Sequence, residues 1–169
     1  MSLSNAYAFE RAFEVVLDHE GGLVNDPSDP GGITAFGISQ RSHPELIIED
    51  LTVEDVREIY WRDWWTMYHY DKLPPRVAIK VMDTAVNVGP RKAHMWLQKG
   101  LNALGADVDV DGIIGRQTIH SAHDCDDHGA LLELIAEAQA EHYQALAAWS
   151  PKMKRFLDGW LKRARRIPT

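Results

Sequence analysis

The sequence predicts a mainly α-helical protein with a short irregular or hairpin segment after the first helix. Three observations predict this fold class. Apolar residues recur at helical spacing over most of the chain, Gly and Pro interrupt that pattern at intervals, and one stretch rich in both follows the first helical segment. With 169 residues, 45% of them hydrophobic, the chain can bury one good core, or a core with a small appended module.

The first helix is predicted over residues 6–20, because Phe9, Phe13 and Val16 fall on one face. It should end at Gly21-Gly22, since glycine readily takes the left-handed conformation that closes a helix. Residues 21–39 hold five glycines and two prolines, which predicts turns with at most one short hairpin.

Later helices are predicted from apolar spacing and from helix boundary signals. Thr52, followed by Asp55 three residues later, has the pattern of an N-cap. Pro74-Pro75 and Gly89-Pro90 predict breaks, and Asp111-Gly112 predicts a tight turn. The predicted helices cover residues 53–66, 76–88, 91–104, 130–148 and 151–165.

Charge and composition exclude several classes of protein. The net charge is −7, yet residues 152–169 hold seven Lys or Arg residues against one Asp. An acidic body argues against nucleic-acid binding, whereas the basic tail suits weak contact with an anionic surface. No apolar run approaches the roughly 20 residues of a membrane-spanning helix, and the single cysteine, Cys125, excludes an intramolecular disulfide. Because the N-terminal residues do not have the pattern of a signal peptide, we expect synthesis in the cytoplasm.

Glu20 is the candidate catalytic acid. It is predicted on the same helix face as Phe9, Phe13 and Val16, so its carboxyl group should emerge at the edge of an apolar stripe. We expect burial there to raise its pKa, which would let it donate a proton to a glycosidic oxygen. Asp26 and Asp29, in the following polar loop, are the candidates for the second carboxylate. The alternative interpretation is that Glu20 only ends a helix and the aspartates form turns.

Residues 20–38, from Glu20-Gly21-Gly22 to Phe36-Gly37-Ile38, closely resemble the signature of glycoside hydrolase family 108, a group of N-acetylmuramidases that includes many phage endolysins. The resemblance implies a lysozyme-like fold and makes Glu20 the catalytic residue. It also implies that the substrate is the glycan of peptidoglycan.

The same segment is similar, more loosely, to phage-type lysozymes. Their catalytic glutamate is followed nine residues later by an aspartate, which Asp29 matches, and some six residues beyond by a threonine. Thr34 stands five residues after Asp29, one fewer than in that pattern. The similarity implies that Thr34 positions or activates a water. The alternative is that its hydroxyl is satisfied within the turn.

The resemblance to family 108 continues through residues 60–65, 73–74 and 83–90. Aromatic residues in this part could stack on sugar rings, although most such residues form core. Of these, Trp64 and Trp65 are the candidate substrate contacts, together with Asn25 and Asn87. Asn87, near a predicted helix end, also suits a cap or a loop brace.

The second half resembles the predicted peptidoglycan-binding region that follows the family's catalytic part, on Leu97-Gln98 and residues 111–118. The turn at Asp111-Gly112, a bend at Gly115 and an N-cap at or near Thr118 give the motif a folding role. Asp107, Asp109 and Asp111 have the spacing of a calcium loop, but Thr118 stands where the bidentate glutamate belongs. The segment with His120, His123, Asp124, Cys125 and His128 fits no zinc motif and is interpreted as a polar loop.

We therefore predict a catalytic region at residues 1–90 and a helical peptidoglycan-binding region at 91–169, packed together in a monomer. The reaction implied is hydrolysis of the β-1,4 bond between N-acetylmuramic acid and N-acetylglucosamine, with no metal and no cofactor. The alternatives are a lytic transglycosylase or chitinase on the same fold, and a non-enzymatic wall-binding protein. Peptidoglycan is the expected partner, nucleic acid and stable membrane insertion are not expected, and access to the periplasmic wall requires a holin or another export route.

Overall fold

The structure is a computed structural model that describes residues 3–20, 23–24, 34–35, 38–39, 43–150 and 152–168. Seven α-helices lie within these residues: α1 Leu3–Glu20, α2 Val53–Tyr60, α3 Pro75–Val88, α4 Pro90–Ala103, α5 Arg116–Asp124, α6 His128–Trp149 and α7 Leu157–Ala164. The prediction of a mainly α, lysozyme-like fold is confirmed. None of the helices in the described residues is long and apolar enough to cross a bilayer.

A small antiparallel sheet follows α1. Its strands are β1 Leu23–Val24, β2 Thr34–Ala35 and β3 Ile38–Ser39, in the order β1-β2-β3. Val24 pairs with Thr34, and Thr34 pairs in turn with Ser39. The hairpin expected after the first helix is therefore present, extended by a third strand.

The helix predicted from Thr52 has the expected start and an unexpected end. Thr52 and Asp55 form a reciprocal capping box, in which the Thr52 hydroxyl accepts a hydrogen bond from the Asp55 backbone N–H. After Tyr60 the helix widens into a π-helix at Trp61–Thr66. Such widening inserts an extra residue per turn and changes which faces the following aromatic side chains occupy.

The helix α3 lies at the centre of the molecule, and every residue from Val77 to Ala85 is buried. It packs against α1, α4 and α6. One apolar core cluster contains residues of both halves, including Phe9 and Val16 of α1 and Leu131 and Ile135 of α6. The first half of the chain thus shares its core with the second.

Two parts of the second half differ from the sequence prediction. The segment interpreted as a polar loop forms α5, which carries His120, His123 and Asp124 on a helix. The helix predicted at 151–165 begins later: a short 3-10 turn at Lys154–Phe156 leads into α7. In α5 Ile119 is the one large apolar residue, so its apolar spacing gave a weak signal.

Candidate active site

The helix α1 is fixed by the apolar face that the sequence predicted. Phe9 and Val16 are fully buried, and Phe13 is nearly so. The Phe9 ring meets the Trp61 ring edge to face at a centroid distance of 4.8 Å and contacts the Trp65 ring at 5.6 Å. Contacts of this kind stabilise beyond the burial of apolar area, so they fix the position of the helix.

Glu20 is the last residue of α1, and β1 begins three residues later at Leu23. Because Glu20 follows Val16 by four residues, its backbone lies one turn beyond a fully buried position of the same face. The pairing of Val24 with Thr34 brings the backbone of Thr34 back toward this end of the helix. Asn25, Asp26 and Asp29 lie outside the described residues.

The direction of α1 relative to α3 indicates which part of α3 lies near Glu20. The Asn5 amide of α1 donates to the Asp71 carbonyl, just before α3, at 3.1 Å. Further along α1, Val15 lines a cleft of about 230 Å³ together with Lys80 and Asp83 of α3. The two helices therefore run in the same direction, and the Glu20 end of α1 lies toward the C-terminal end of α3.

Asn87 occupies that C-terminal end of α3. Its side-chain amide donates to the Asp83 carbonyl one turn earlier, at 3.0 Å. This hydrogen bond gives Asn87 the bracing role that the sequence also suggested. A contact between Asn87 and substrate stays a prediction.

The two candidate tryptophans have different environments. Trp65 is 1% exposed, and its indole N–H donates to the Asn5 side-chain oxygen at 3.0 Å. Trp64 is only partly buried: its ring stacks on the Tyr60 ring at 6.1 Å, and the Tyr68 ring meets it at 5.8 Å, tilted by 59°. The burial of Trp65 argues against its predicted stacking on a sugar ring, because neither of its faces is open to a ligand. Trp64 stays the candidate for that role.

A buried hydrogen-bond chain that the sequence did not predict joins the first half to the Asp111–Gly115 turn. The Tyr70 hydroxyl lies 2.8 Å from His94 Nε2, and His94 Nδ1 lies 2.9 Å from the Gly112 carbonyl oxygen. Since a carbonyl only accepts, Nδ1 carries the proton and Nε2 accepts from Tyr70. Burial lowers the pKa of His94 and raises that of Tyr70, which keeps both groups neutral.

The Asp111-Gly112 turn is held by side chains that the sequence motif did not explain. Gln98 of α4 donates to the Asp111 carboxylate at 2.8 Å and accepts from the Gly112 backbone N–H at 2.8 Å. The same amide lies 3.3 Å from the Thr118 hydroxyl. Thr118 is buried inside α5, and the N-cap expected at or near Thr118 lies three residues earlier, at Gly115.

A second buried polar cluster connects α3 to the end of the chain. The Asp83 carboxylate pairs with the Arg163 guanidinium of α7 at 2.9 Å. Lys80 donates to the Ala164 carbonyl at 2.6 Å and to the Gln139 side chain of α6 at 3.1 Å. Burial lowers the pKa of Lys80 to about 8. These contacts hold the last helix against the central one.

The helical body, with a small antiparallel sheet directly after the helix that ends in Glu20, defines a protein of lysozyme-like fold. Residues 13–89 match the family model described as Glycosyl hydrolase 108, and residues 92–165 match the one described as Predicted Peptidoglycan domain. The first half of the chain is thus similar to glycosyl hydrolase 108 and the second half to a peptidoglycan-binding domain, and together they indicate a peptidoglycan hydrolase.

A solved structure supports the same fold. The chain is similar to Brucella abortus SagA, with 25% sequence identity and a TM-score of 0.68, over 95% of this chain and 98% of that chain. No curated protein matches it.

The two family matches meet between residues 89 and 92. The division into domains at residue 90 stays a prediction.

Proposed function

We propose that the protein is an N-acetylmuramidase in which Glu20 is the general acid. The observation that carries the proposal is the end of α1 at Glu20, one turn beyond the buried Val16 and three residues before a paired strand. In this reaction the Glu20 carboxyl proton passes to the glycosidic oxygen as its bond to the muramic acid C1 breaks. Water then supplies hydroxyl to C1 and its proton to a carboxylate.

The second carboxylate is Asp26 or Asp29, with Thr34 guiding the water or supporting the oxocarbenium-like state. Support for Thr34 is the strand pairing that returns it toward the end of α1. Asn25, Trp64 and Asn87 are the proposed glycan contacts. Trp64 is the aromatic residue of this group with a partly open ring.

The test is a Glu20→Gln variant assayed by release of soluble fragments from purified peptidoglycan. Loss of a general acid should lower the rate by about a thousandfold while the protein still folds and binds wall. Glu14→Gln is the matched control, because Glu14 is an exposed glutamate of the same helix. A Glu20→Gln protein as active as the Glu14→Gln control would refute the proposal.

Mass spectrometry of the fragments then distinguishes the chemistry. Hydrolysis leaves reducing muramic ends that are one water heavier than the anhydro ends of a lytic transglycosylase. We expect the heavier product. Anhydro ends would show that the enzyme is a lytic transglycosylase and not a muramidase. Glu20 would still be the acid in that reaction.

Two further proposals concern where and with what the protein acts. We propose that it works as a monomer on the periplasmic wall after release from the cytoplasm. The C-terminal segment suits a weak contact with an anionic surface, since the exposed side chains of Trp149, Met153 and Phe156 neighbour Lys152, Lys154 and Arg155. Binding to nucleic acid is not proposed, because the rest of the chain is acidic.

A further inference from the structure

A groove of about 850 Å³ runs between α4 and α6 in the second half of the molecule. We refer to it as the α4–α6 groove. It is lined by residues of α4 and α6 and by the junction between α3 and α4, namely Val88, Pro90, Lys92, Trp96, Lys99 and His142 with their neighbours. The groove is larger than the cleft of about 230 Å³ beside Val15.

The groove follows from the spacing of residues on the two helices. Lys92, Trp96 and Lys99 recur at three and four residues along α4, so they share one face. Closer to the C-terminal end of α4, Gly100 allows the helices to touch, since a Cβ there would lie 2.9 Å from the Leu131 side chain. The helices are thus fixed in contact at one end, and the groove occupies the face beyond that contact.

The lining combines an apolar floor with cations. Trp96 is partly buried, and its ring lies 5.7 Å from the His142 ring. Arg91, Lys92 and Lys99 are exposed, against a single carboxylate, Glu141, in the lining. The chain as a whole carries a net charge of −7, so this face is locally opposite in sign to the molecule. Such a face attracts an anionic ligand.

The groove also continues from the proposed glycan site. It begins at Val88, one residue after Asn87, at the C-terminal end of α3, and the backbone of α1 ends toward the same part of α3. A glycan strand bound at that end would therefore project its substituents toward the groove. The substituents of peptidoglycan are short peptides in which carboxylates outnumber amines.

We infer that the α4–α6 groove binds the anionic peptide stem of peptidoglycan, with Lys92 and Lys99 contacting stem carboxylates and Trp96 packing against the stem. This inference rests on the proposed function, since it takes the same polymer as substrate. It assigns wall binding in the second half to a defined surface. The Asp111–Gly115 motif then serves to fold that half.

The experiment measures cosedimentation of the full chain with insoluble peptidoglycan in the Glu20→Gln background. Two substrates are compared: intact sacculi, and sacculi from which an amidase has removed the stems. The test variant is Lys92→Gln/Lys99→Gln. The matched control is Lys72→Gln/Arg116→Gln, which removes two exposed cations outside the groove. Thermal melting confirms that both variants fold.

We expect the groove variant to bind intact sacculi about fivefold more weakly and to bind stripped sacculi as the parent does. The control should match the parent on both. Unchanged binding to intact sacculi, an equal loss on stripped sacculi, or an equal loss in the control would each overturn the inference. Soluble fragments released in the same tubes report on Glu20 separately, so a failure of the proposed catalytic acid is distinguishable.

Discussion

Apolar rings hold α1 in place, whereas polar side chains hold the Asp111–Gly115 turn. Around α1, Phe9 contacts the rings of Phe13, Trp61 and Trp65. At the turn, Gln98 and His94 bind backbone atoms of Gly112 and Ile113 through directed hydrogen bonds. Apolar packing tolerates small displacements, but a hydrogen bond to backbone fixes both distance and angle. The two regions should therefore respond differently to mutation and to pH.

The largest effect should come from Phe9→Ala. Removing a fully buried ring that contacts three others should lower the free energy of unfolding by about 3–5 kcal/mol. Activity should fall with it, because α1 carries Glu20. Tyr7→Ala is the control: Tyr7 is 66% exposed on the same helix, and its loss should cost less than about 0.5 kcal/mol. Denaturant unfolding measures both, and equal costs would contradict the role given to the ring cluster.

The substitution Gly112→Ala at the turn should lower the free energy of unfolding by a smaller amount. Gly112 has φ of +80°, and an added Cβ would lie 2.8 Å from the Arg91 carbonyl oxygen. Backbone strain and this collision together should cost about 2–4 kcal/mol. Gly105→Ala separates the two causes, because Gly105 has φ of +98° with open space for a Cβ. The free energy of unfolding of that control should fall by only about 1 kcal/mol. If it loses as much as Gly112→Ala, the close approach to Arg91 is not what fixes the turn.

The smallest effect is the pH dependence of stability, which should appear at the turn because His94 lies there. Burial lowers the pKa of His94, so below about pH 6.5 the unfolded chain takes up a proton that the folded chain excludes. The stability contributed by neutral His94 is therefore complete above that pH and is lost as the pH falls toward the folded-state pKa. The slope cannot exceed about 1.4 kcal/mol per pH unit.

Unfolding free energies at pH 7.5, 6.0 and 5.0 test this, with His94→Gln as the comparison. Glutamine can donate and accept hydrogen bonds at the same position but does not titrate. We expect the wild type to lose more stability than His94→Gln over this interval. Parallel losses in the two proteins would show that other groups cause the acid sensitivity.

The same comparison explains what sequence reasoning could reach. The face of α1, the Thr52 cap and the break before Pro75 follow from local rules, because spacing, capping and proline act within a few residues. The helix α5 was missed because its buried positions include Thr118, whose hydroxyl is satisfied by Gln98 from another helix. A polar residue that is buried by a distant partner has the local pattern of a loop.

The candidate site divides in a similar way. The end of α1 at Glu20 was predictable because helix periodicity and the following glycines mark it. The sequence could not predict which tryptophan is partly exposed, because the π-helix at Trp61–Thr66 shifts the faces on which Trp64 and Trp65 lie. The roles of Glu20, Asp26, Asp29 and Thr34 stay predictions until the variants are measured.

The pairing of Lys80 and Asp83 with the end of α7 has a consequence for synthesis on the ribosome. Their partners, the Ala164 carbonyl and the Arg163 guanidinium, lie 84 and 80 residues later in the chain. Until those residues leave the exit tunnel, the nascent α3 carries two charged groups whose partners are missing. A wall-degrading enzyme built in this way completes the polar contacts of its central helix only after α7 has been translated.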